Sequence, residues 1–274
     1  MRVYVSVDME GLAGISHPAP TGRTDPGYAA ACELMVGEAN AAIEGALAAG
    51  ADEVVVNDSH GKMFNLSPTA LDPRARLVQG QKPFGMVEAA RDGRFEVALF
   101  VGYHARAGHP RGTIAHTYSG TPLLTTLNDR PVGEATLNAL YLGGLGVPVG
   151  MVSGDDALAE EVQEYLPWAE AVEVKRAVGA NSADSLHPER ARQLIREAAS
   201  RAVERARGGA LQVLHLELPV RVGIDFDTGS RADFAALMPG FERFGDAGVR
   251  FQGANPSEAY RAMLSAIRMG GLVD

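Results

Sequence analysis

Short apolar runs alternate with helical patterns along the first half of the chain. The runs predict strands at residues 2–7, 54–56, 97–101, 123–127 and 147–152. Residues 28–49 and 134–142 lie between them and carry apolar side chains at helical spacing. Strands that alternate with helices pair in parallel, and the helices cover both faces of the sheet. We therefore expect an α/β fold, a three-layer α/β/α arrangement with a largely parallel sheet.

The pattern changes in the C-terminal part of the chain. An amphipathic helix rich in Arg and Glu is predicted over residues 188–207, and a final helix begins at Pro256 and ends near residue 269, before two glycines. β-like runs lie between these helices, at residues 211–218, 220–226 and 249–252. We expect a smaller C-terminal α+β portion over residues 169–274, after a first domain over residues 1–168.

Composition argues against several classes of protein. The chain of 274 residues has 34 Asp and Glu against 25 Lys and Arg, a net charge of −9, and no basic run, which argues against a nucleic-acid partner. No apolar run reaches the roughly 18–20 residues of a membrane span, and no signal-peptide pattern opens the chain, so we expect a cytoplasmic protein with no membrane partner. Cys32 is the single cysteine. Any metal must therefore be held by oxygen and nitrogen ligands.

Polar side chains follow three of the predicted strands at the point where each strand ends. Asp8 and Glu10 follow the first strand, His60 the second, and His104 the strand that ends at residue 101. Taken singly, each has a commoner explanation, since Asp-x-Glu is usually a turn or a helix cap and a lone His a structural hydrogen-bonding residue. The carboxyl ends of parallel strands meet at one edge of a sheet, however, so the four side chains are expected to converge. Their joint occurrence predicts a metal site.

A charge count favours two metal ions. Two divalent cations bring a charge of +4, three carboxylates −3 and a bridging hydroxide −1. A buried site with these groups has no net charge. Glu134 is the candidate for the third carboxylate, although a first-turn Glu that complements the helix dipole is the commoner explanation. His116 is either a core residue or an acid–base group beside the metals. The pair Asp155-Asp156 follows another strand, and we expect it to cap a helix rather than to orient a ligand.

Four ordered motifs resemble the D-aminopeptidase family of dipeptide operons, the DppA-type metallopeptidases. The motifs are Ser6-Val7-Asp8-Met9-Glu10-Gly11, Asn57-Asp58-Ser59-His60, Gly102-Tyr103-His104-Ala105-Arg106 and Asn128-Asp129-Arg130-Pro131-Val132-Gly133-Glu134. The first of them resembles the family's Ser-x-Asp-x-Glu-Gly signature. The likeness covers most of the chain, since two further segments match in the same order, Gly154-Asp155-Asp156 and Leu237-Met238-Pro239-Gly240.

The resemblance implies a site with two zinc ions, although cobalt or manganese also suits such ligands. The implied ligands are Asp8, Glu10, His60, His104 and Glu134, with Asp8 bridging, and His116 matches the position to which the family assigns a catalytic role. The implied enzyme is an aminopeptidase that hydrolyses short peptides with N-terminal D-residues, D-alanyl peptides especially, through a metal-bridged hydroxide. The family forms ring-shaped homo-oligomers, a decamer by resemblance, with active sites facing an inner chamber. The C-terminal portion is expected to contribute to the oligomer contacts.

Two other functions compete with this hypothesis. A binuclear phosphoesterase would also place Asp, Asn and His at strand ends, but the chain has no Walker-type phosphate loop and carries Asp8-Met9-Glu10 instead of Asp-x-His. A non-catalytic peptide-binding component of dipeptide transport is normally exported, and no export signal opens the chain. The residues alone leave both open as alternatives.

Overall fold

The computed structural model describes residues 1–273, and over that range it contains two sheets and six α-helices. The strands are β1 (Arg2–Val7), β2 (Glu53–Asp58), β3 (Arg76–Val78), β4 (Val97–Val101), β5 (Pro122–Leu127), β6 (Arg130–Pro131), β7 (Val149–Asp155), β8 (Glu170–Gly179), β9 (Ser182–Ser185), β10 (Val220–Phe226), β11 (Glu242–Phe244) and β12 (Gly248–Gly253). The helices are α1 (Tyr28–Ala48), α2 (Glu134–Gly144), α3 (Asp156–Tyr165), α4 (Pro188–Arg207), α5 (Gly229–Ala235) and α6 (Pro256–Gly270).

Seven strands form the first sheet in the order β3-β2-β1-β4-β7-β8-β9. All neighbours pair in parallel except β9, which folds back antiparallel on β8. Helices α1 and α4 pack on each other and cover one face, where Val3, Val5 and Val7 are buried. Tyr4 and Phe100 face the other side, among residues of α2, α3 and α6. The expected three-layer α/β/α arrangement with a largely parallel sheet is confirmed.

The second sheet is antiparallel and has five strands in the order β11-β12-β10-β5-β6. Its strand β5 corrects one prediction, because the run at residues 123–127 was expected in the parallel sheet. It pairs antiparallel with β10 instead, with Thr125 opposite Ile224. The apolar alternation of a strand specifies its faces and not its partner. Both sheets take strands from either side of residue 168, since β7 pairs with β8 and β5 with β10.

A second prediction is wrong, because the β-like run at residues 211–218 forms no strand. This segment runs against α2, where the carbonyl oxygen of Leu214 would lie 2.4 Å from a Cβ on Gly143. The Leu214 side chain is buried there. At Leu214 the segment therefore packs on a helix, and it does not join a ladder. The runs at 220–226 and 249–252 are strands as predicted.

The helix ends follow their sequence signals. Asp155 caps α3, where its carboxylate accepts from the N–H of Leu158 at 2.9 Å, so the capping interpretation of Asp155-Asp156 is confirmed. Pro188 and Pro256 lie in the first turns of α4 and α6. Among residues 1–273, none of the helices combines the length and the hydrophobicity of a membrane span.

Two glycines bring the ends of β1 and β4 into backbone contact. A Cβ on Gly11 would lie 1.7 Å from the carbonyl oxygen of Tyr103. Gly102 has a φ of 70°, and a Cβ there would lie 2.4 Å from the carbonyl oxygen of Asp8. Only glycine fits either position. The contact holds Asp8 and His104 side by side at the carboxyl edge of the sheet.

Candidate metal centre

The end of β1 carries two buried carboxylates. The backbone N–H of Asp8 donates to Val101 at 2.8 Å, and that of Gly11 donates to Gly102 at 2.8 Å, which extends the contact with β4 beyond the strand. Asp8 and Glu10 are 3% and 5% exposed. Carboxylates at that depth require compensation by cations or by hydrogen-bond donors.

His60 follows β2 and faces both carboxylates. Its Nε2 lies 2.9 Å from the carbonyl oxygen of Thr21, which accepts the proton of that nitrogen. Its Nδ1 lies 2.9 Å from Glu10 Oε2 and 3.2 Å from Asp8 Oδ1. A nitrogen lone pair that faces two carboxylates needs a proton or a metal cation between them. An imidazole held through its other nitrogen by a backbone carbonyl is also the usual arrangement of a metal-binding His.

The imidazole of His104 has a buried nitrogen without a partner. Its Nδ1 lies 3.0 Å from the carbonyl oxygen of Ala105, so Nδ1 holds the proton. Its Nε2 lies 3.3 Å from Glu134 Oε1 and 3.5 Å from Asp8 Oδ2, yet it has no hydrogen-bond partner among residues 1–273. A buried nitrogen that is aimed at two carboxylates and bonded to neither is an arrangement that a cation would satisfy.

Glu134 and His116 complete the cluster next to His104. Glu134 is the first residue of α2, and its Oε1 accepts from the N–H of Tyr118 at 2.7 Å. The His116 ring stacks on that of His104 with centroids 4.1 Å apart, and its Nε2 lies 3.9 Å from Glu134 Oε1. Its Nδ1 lies 2.9 Å from the carbonyl oxygen of Ile114. His116 is the most accessible side chain of the cluster, at 26% exposure.

The charges of the cluster shift the pKa values of its members. Burial and the Glu10 charge raise the pKa of Asp8 to about 7. Burial by itself would lower the pKa of His60 and of His104, but the carboxylates of Glu10 and Glu134 raise them to about 12 and about 10. The cluster therefore demands positive charge, which protons or divalent cations supply.

The donor atoms are close enough to coordinate metal. Two groups have ligand atoms that all lie within 4.8 Å of one another, namely Asp8 with Glu10 and His104, and His104 with His116 and Glu134. Carboxylate and imidazole donors without thiolate suit zinc, cobalt and manganese. The residues present therefore fit such an ion, and the side chains expected to converge do meet at one edge of the sheet.

Comparison with known proteins identifies the family. Residues 1–265 match the family model described as D-aminopeptidase. The chain belongs to the D-aminopeptidase family. It is 40% identical over 268 residues to the D-aminopeptidase of Bacillus subtilis strain 168, covering 96% of each chain. Its fold matches a solved structure described as Zn-dependent D-aminopeptidase DppA from Bacillus subtilis, a self-compartmentalizing protease, with a TM-score of 0.95, 37% identity and coverage of 100% of this chain and 99% of that one.

Membership of the D-aminopeptidase family confirms three expectations made from the sequence. These are the family itself, the α/β fold class and an enzyme that hydrolyses peptide bonds. Membership favours the peptidase over the phosphoesterase and over the transport component, which the residues alone left open.

The structure of this D-aminopeptidase family member places a buried lysine next to the segment that carries Glu10, and no sequence motif indicated it. Lys175 lies on β8 and is 2% exposed. Its Nζ donates to the carbonyl oxygen of Ile15 at 2.5 Å and to that of Glu10. Burial lowers its pKa to about 8, so it still carries its proton at neutral pH. The strand carries four charged residues, Glu170, Glu173, Lys175 and Arg176, so nothing in its sequence singles out Lys175 as the buried one.

Glu161 on α3 packs between two segments of the cluster. Its Oε1 accepts from the N–H of Arg106, two residues after His104, at 2.9 Å. A Cβ on Gly133, directly before Glu134, would lie 2.8 Å from Glu161 Oε2, so the glycine makes room for this carboxyl. Burial raises the pKa of Glu161 to about 7. The contact joins residues far apart in the chain, so no local motif could indicate it.

Proposed function

We propose that this protein is a zinc-dependent aminopeptidase that hydrolyses short peptides with N-terminal D-residues, such as D-alanyl peptides. The observation that carries the proposal is the buried Nε2 of His104, which lies between the carboxylates of Asp8 and Glu134. Within residues 1–273 this nitrogen has no hydrogen-bond partner. The relative of known structure, described as a Zn-dependent D-aminopeptidase, supports zinc as the cation.

Two zinc ions per subunit suit this donor set, and cobalt or manganese would suit it too. We assign one position to Asp8, Glu10 and His60, and the other to Asp8, His104 and Glu134. Asp8 would serve both positions, because its Oδ1 faces His60 at 3.2 Å and its Oδ2 faces His104 at 3.5 Å. The three carboxylates offset most of the charge of two divalent ions, so the buried site stays near neutral.

Held by these residues, zinc would supply polarisation of the scissile carbonyl and a lower pKa of a bound water. The protein itself contributes His116, whose Nδ1 is fixed at the carbonyl of Ile114 and whose Nε2 is left to exchange protons. Burial and the neighbouring His104 lower the pKa of His116, so it is neutral near pH 7. Nε2 carries no proton in the neutral ring, so we assign to it the acceptance of a proton from the attacking water and the transfer of that proton to the leaving amine as the C–N bond breaks. The stacked His104 ring holds the His116 ring in position.

We propose that the subunits form a closed ring, a decamer by resemblance, whose active sites face an inner chamber. The relative described as a self-compartmentalizing protease supports an oligomer. Light scattering of the purified protein is expected to give ten times the subunit mass. A monomer in solution would contradict this assembly.

Metal analysis combined with hydrolysis of D-Ala-D-Ala and L-Ala-L-Ala tests the proposed function. We expect two zinc ions per chain, faster hydrolysis of the D-dipeptide, and loss of hydrolysis on chelation that zinc restores. Absence of stoichiometric metal, or a preference for the L-dipeptide, would contradict the proposal. Hydrolysis of an aryl phosphate in place of both dipeptides would favour the phosphoesterase.

A further inference from the structure

A cleft of about 640 Å³ is lined in part by Gly61 and Tyr118, which neighbour residues of the candidate metal centre along the chain. One wall comes from the turn that begins at Gly61, directly after His60, and another from the C-terminal half of α6. We propose that this cleft binds the terminal carboxylate of the peptide substrate. The inference rests on the proposed function, because it assigns a place to the far end of the molecule that the metal centre would cleave.

Three cations line the cleft, namely Lys62, Lys82 and Arg268. Among residues 1–273 no Asp or Glu lines it. Within residues 1–273 none of the three cations forms an ion pair. The chain as a whole has a net charge of −9. Three cations on one concave surface of such a chain attract an anionic group, and a carboxylate is the anion that a peptide carries.

Two of these cations are oriented by backbone carbonyls. The guanidinium of Arg268 donates to Pro83 at 2.8 Å and to Lys82 at 3.1 Å. The Nζ of Lys82 donates to the carbonyl oxygen of Asp58 at 2.7 Å, which leaves two more N–H groups for a ligand. The Lys62 side chain is exposed and can approach a carboxylate from the solvent side. Groups that are oriented in advance lose less entropy when they bind.

Two segments connect the cleft to the metal centre. Gly61 follows His60 directly, and Tyr118 lies two residues after His116. Tyr118 also donates its N–H to Glu134 at 2.7 Å. Two extended residues span at most about 7 Å, so the edge of the cleft at Tyr118 lies close to the cluster. The arrangement predicts a preference for short peptides with a free carboxyl terminus over their amides.

The experiment compares D-Ala-D-Ala with its C-terminal amide, since the two differ only at the group that the cleft would bind. For the zinc-loaded wild-type enzyme we expect kcat/KM on the acid to exceed that on the amide about ten- to hundredfold, the range for a hydrogen bond to a charged group. In a Lys62→Met, Arg268→Met double variant, which keeps Lys82, the ratio is expected to fall towards one through a higher KM for the acid. Arg261→Met, an exposed residue of α6 outside the cleft, is the control and is expected to keep the wild-type ratio.

A wild-type ratio near one overturns the inference, and so does a double variant that loses activity on both peptides equally. If the wild-type enzyme hydrolyses neither peptide, the proposed function fails, and calorimetry with the same pair decides the inference. Tighter binding of the acid that the double variant loses supports the inference, whereas equal binding of acid and amide overturns it. Inorganic phosphate that binds wild type but not the double variant, without any preference for the acid, marks a site for free anions and also overturns it.

Discussion

The ammonium of Lys175 holds the turn that carries Asp8 and Glu10, because it donates to the carbonyl oxygens of Glu10 and Ile15. Replacement of Lys175 by Met removes both hydrogen bonds and a buried positive charge. We expect zinc affinity to fall about ten- to hundredfold, the usual effect of losing a group that supports a ligand. Competition with a chromogenic chelator measures the affinity, and Lys175→Arg is expected to be intermediate. Unchanged zinc affinity in the Met variant would show that the lysine serves folding alone.

Glu38 on α1 makes the stability of the protein depend on pH. Its Oε1 accepts from the N–H of Ala13 at 2.8 Å, and its Oε2 has no hydrogen-bond partner in the described part of the chain. Burial raises the pKa of this carboxyl from 4.5 to about 7. Between those values the folded protein keeps a proton that the unfolded chain has lost. The stabilising contribution is therefore complete at low pH and is lost as the pH rises through 7.

Glu38→Gln keeps the acceptor for Ala13 and removes the titration. We expect the variant to exceed wild type at pH 8 by up to about 3 kcal/mol in the free energy of unfolding. At pH 5 the difference between the two proteins in the free energy of unfolding is expected to be much smaller. Urea denaturation at both pH values measures the difference, and a difference that does not change with pH would contradict the raised pKa.

At the level of the elements, the packing of α1 on α4 depends on one glycine. A Cβ on Gly45 would lie 2.2 Å from the carbonyl oxygen of Arg196 and 2.9 Å from the Cβ of Ala199. Gly45→Ala gains about 1 kcal/mol in helix propensity, but overpacking costs about 1–3 kcal/mol because the backbone of α4 has to move. We expect a net decrease in the free energy of unfolding, measured by urea denaturation.

Gly37 on the same helix provides the matched control. A Cβ there would meet the guanidinium of Arg192 at 2.3 Å, which is the end of a flexible side chain. Arg192 can turn aside, so Gly37→Ala is expected to keep the stability or to raise it by up to about 1 kcal/mol. Equal effects of the two alanines would show that contact with the backbone of α4 does not limit this packing.

Elements with local signals are the ones that can be predicted from the sequence. β1 and β4 have their predicted bounds, because each apolar run stops abruptly at a polar residue or a glycine. β5 was assigned to the wrong sheet because its partner β10 comes much later in the chain. The segment at 211–218 has the composition of a strand, but its packing on α2 is a tertiary contact that composition does not encode.

The same distinction applies to the candidate site. Asp8, His60 and His104 each follow a strand of one parallel sheet, so their convergence is a consequence of topology that the sequence can predict. Lys175 and Glu161 reach the cluster from β8 and α3, through pairings and packing that no motif specifies. Sequence reasoning therefore predicts the groups that face a ligand better than the groups that hold them in place.

The molecule as a whole is expected to be stabilised by its metal. Asp8, Glu10 and Glu134 are all buried in the cluster, and without cations their mutual repulsion opposes folding. Zinc that binds only the folded protein adds about 2.7 kcal/mol at a hundredfold excess over Kd. We expect chelation to lower the melting temperature by roughly 5–10 °C and zinc to restore it, measured by differential scanning fluorimetry.

Two histidine variants control this measurement. His104→Ala removes a proposed ligand and is expected to abolish the response of the melting temperature to zinc. His215→Ala replaces an exposed histidine outside the cluster and is expected to keep the response. A full response in His104→Ala would contradict the assigned site.

The residues that hold the cluster in place also determine when, during synthesis, the chain can bind zinc. All of the proposed ligands lie within the first 134 residues, yet Glu161 and Lys175, which hold the segments around His104 and Glu10, are translated later. A nascent chain therefore carries the complete set of zinc-binding side chains before it has the frame that orients them. We expect zinc to protect ribosome-bound chains from proteolysis only after β8 has emerged. Metal loading would then be a late step in the biogenesis of this enzyme, and protection of shorter chains would contradict that order.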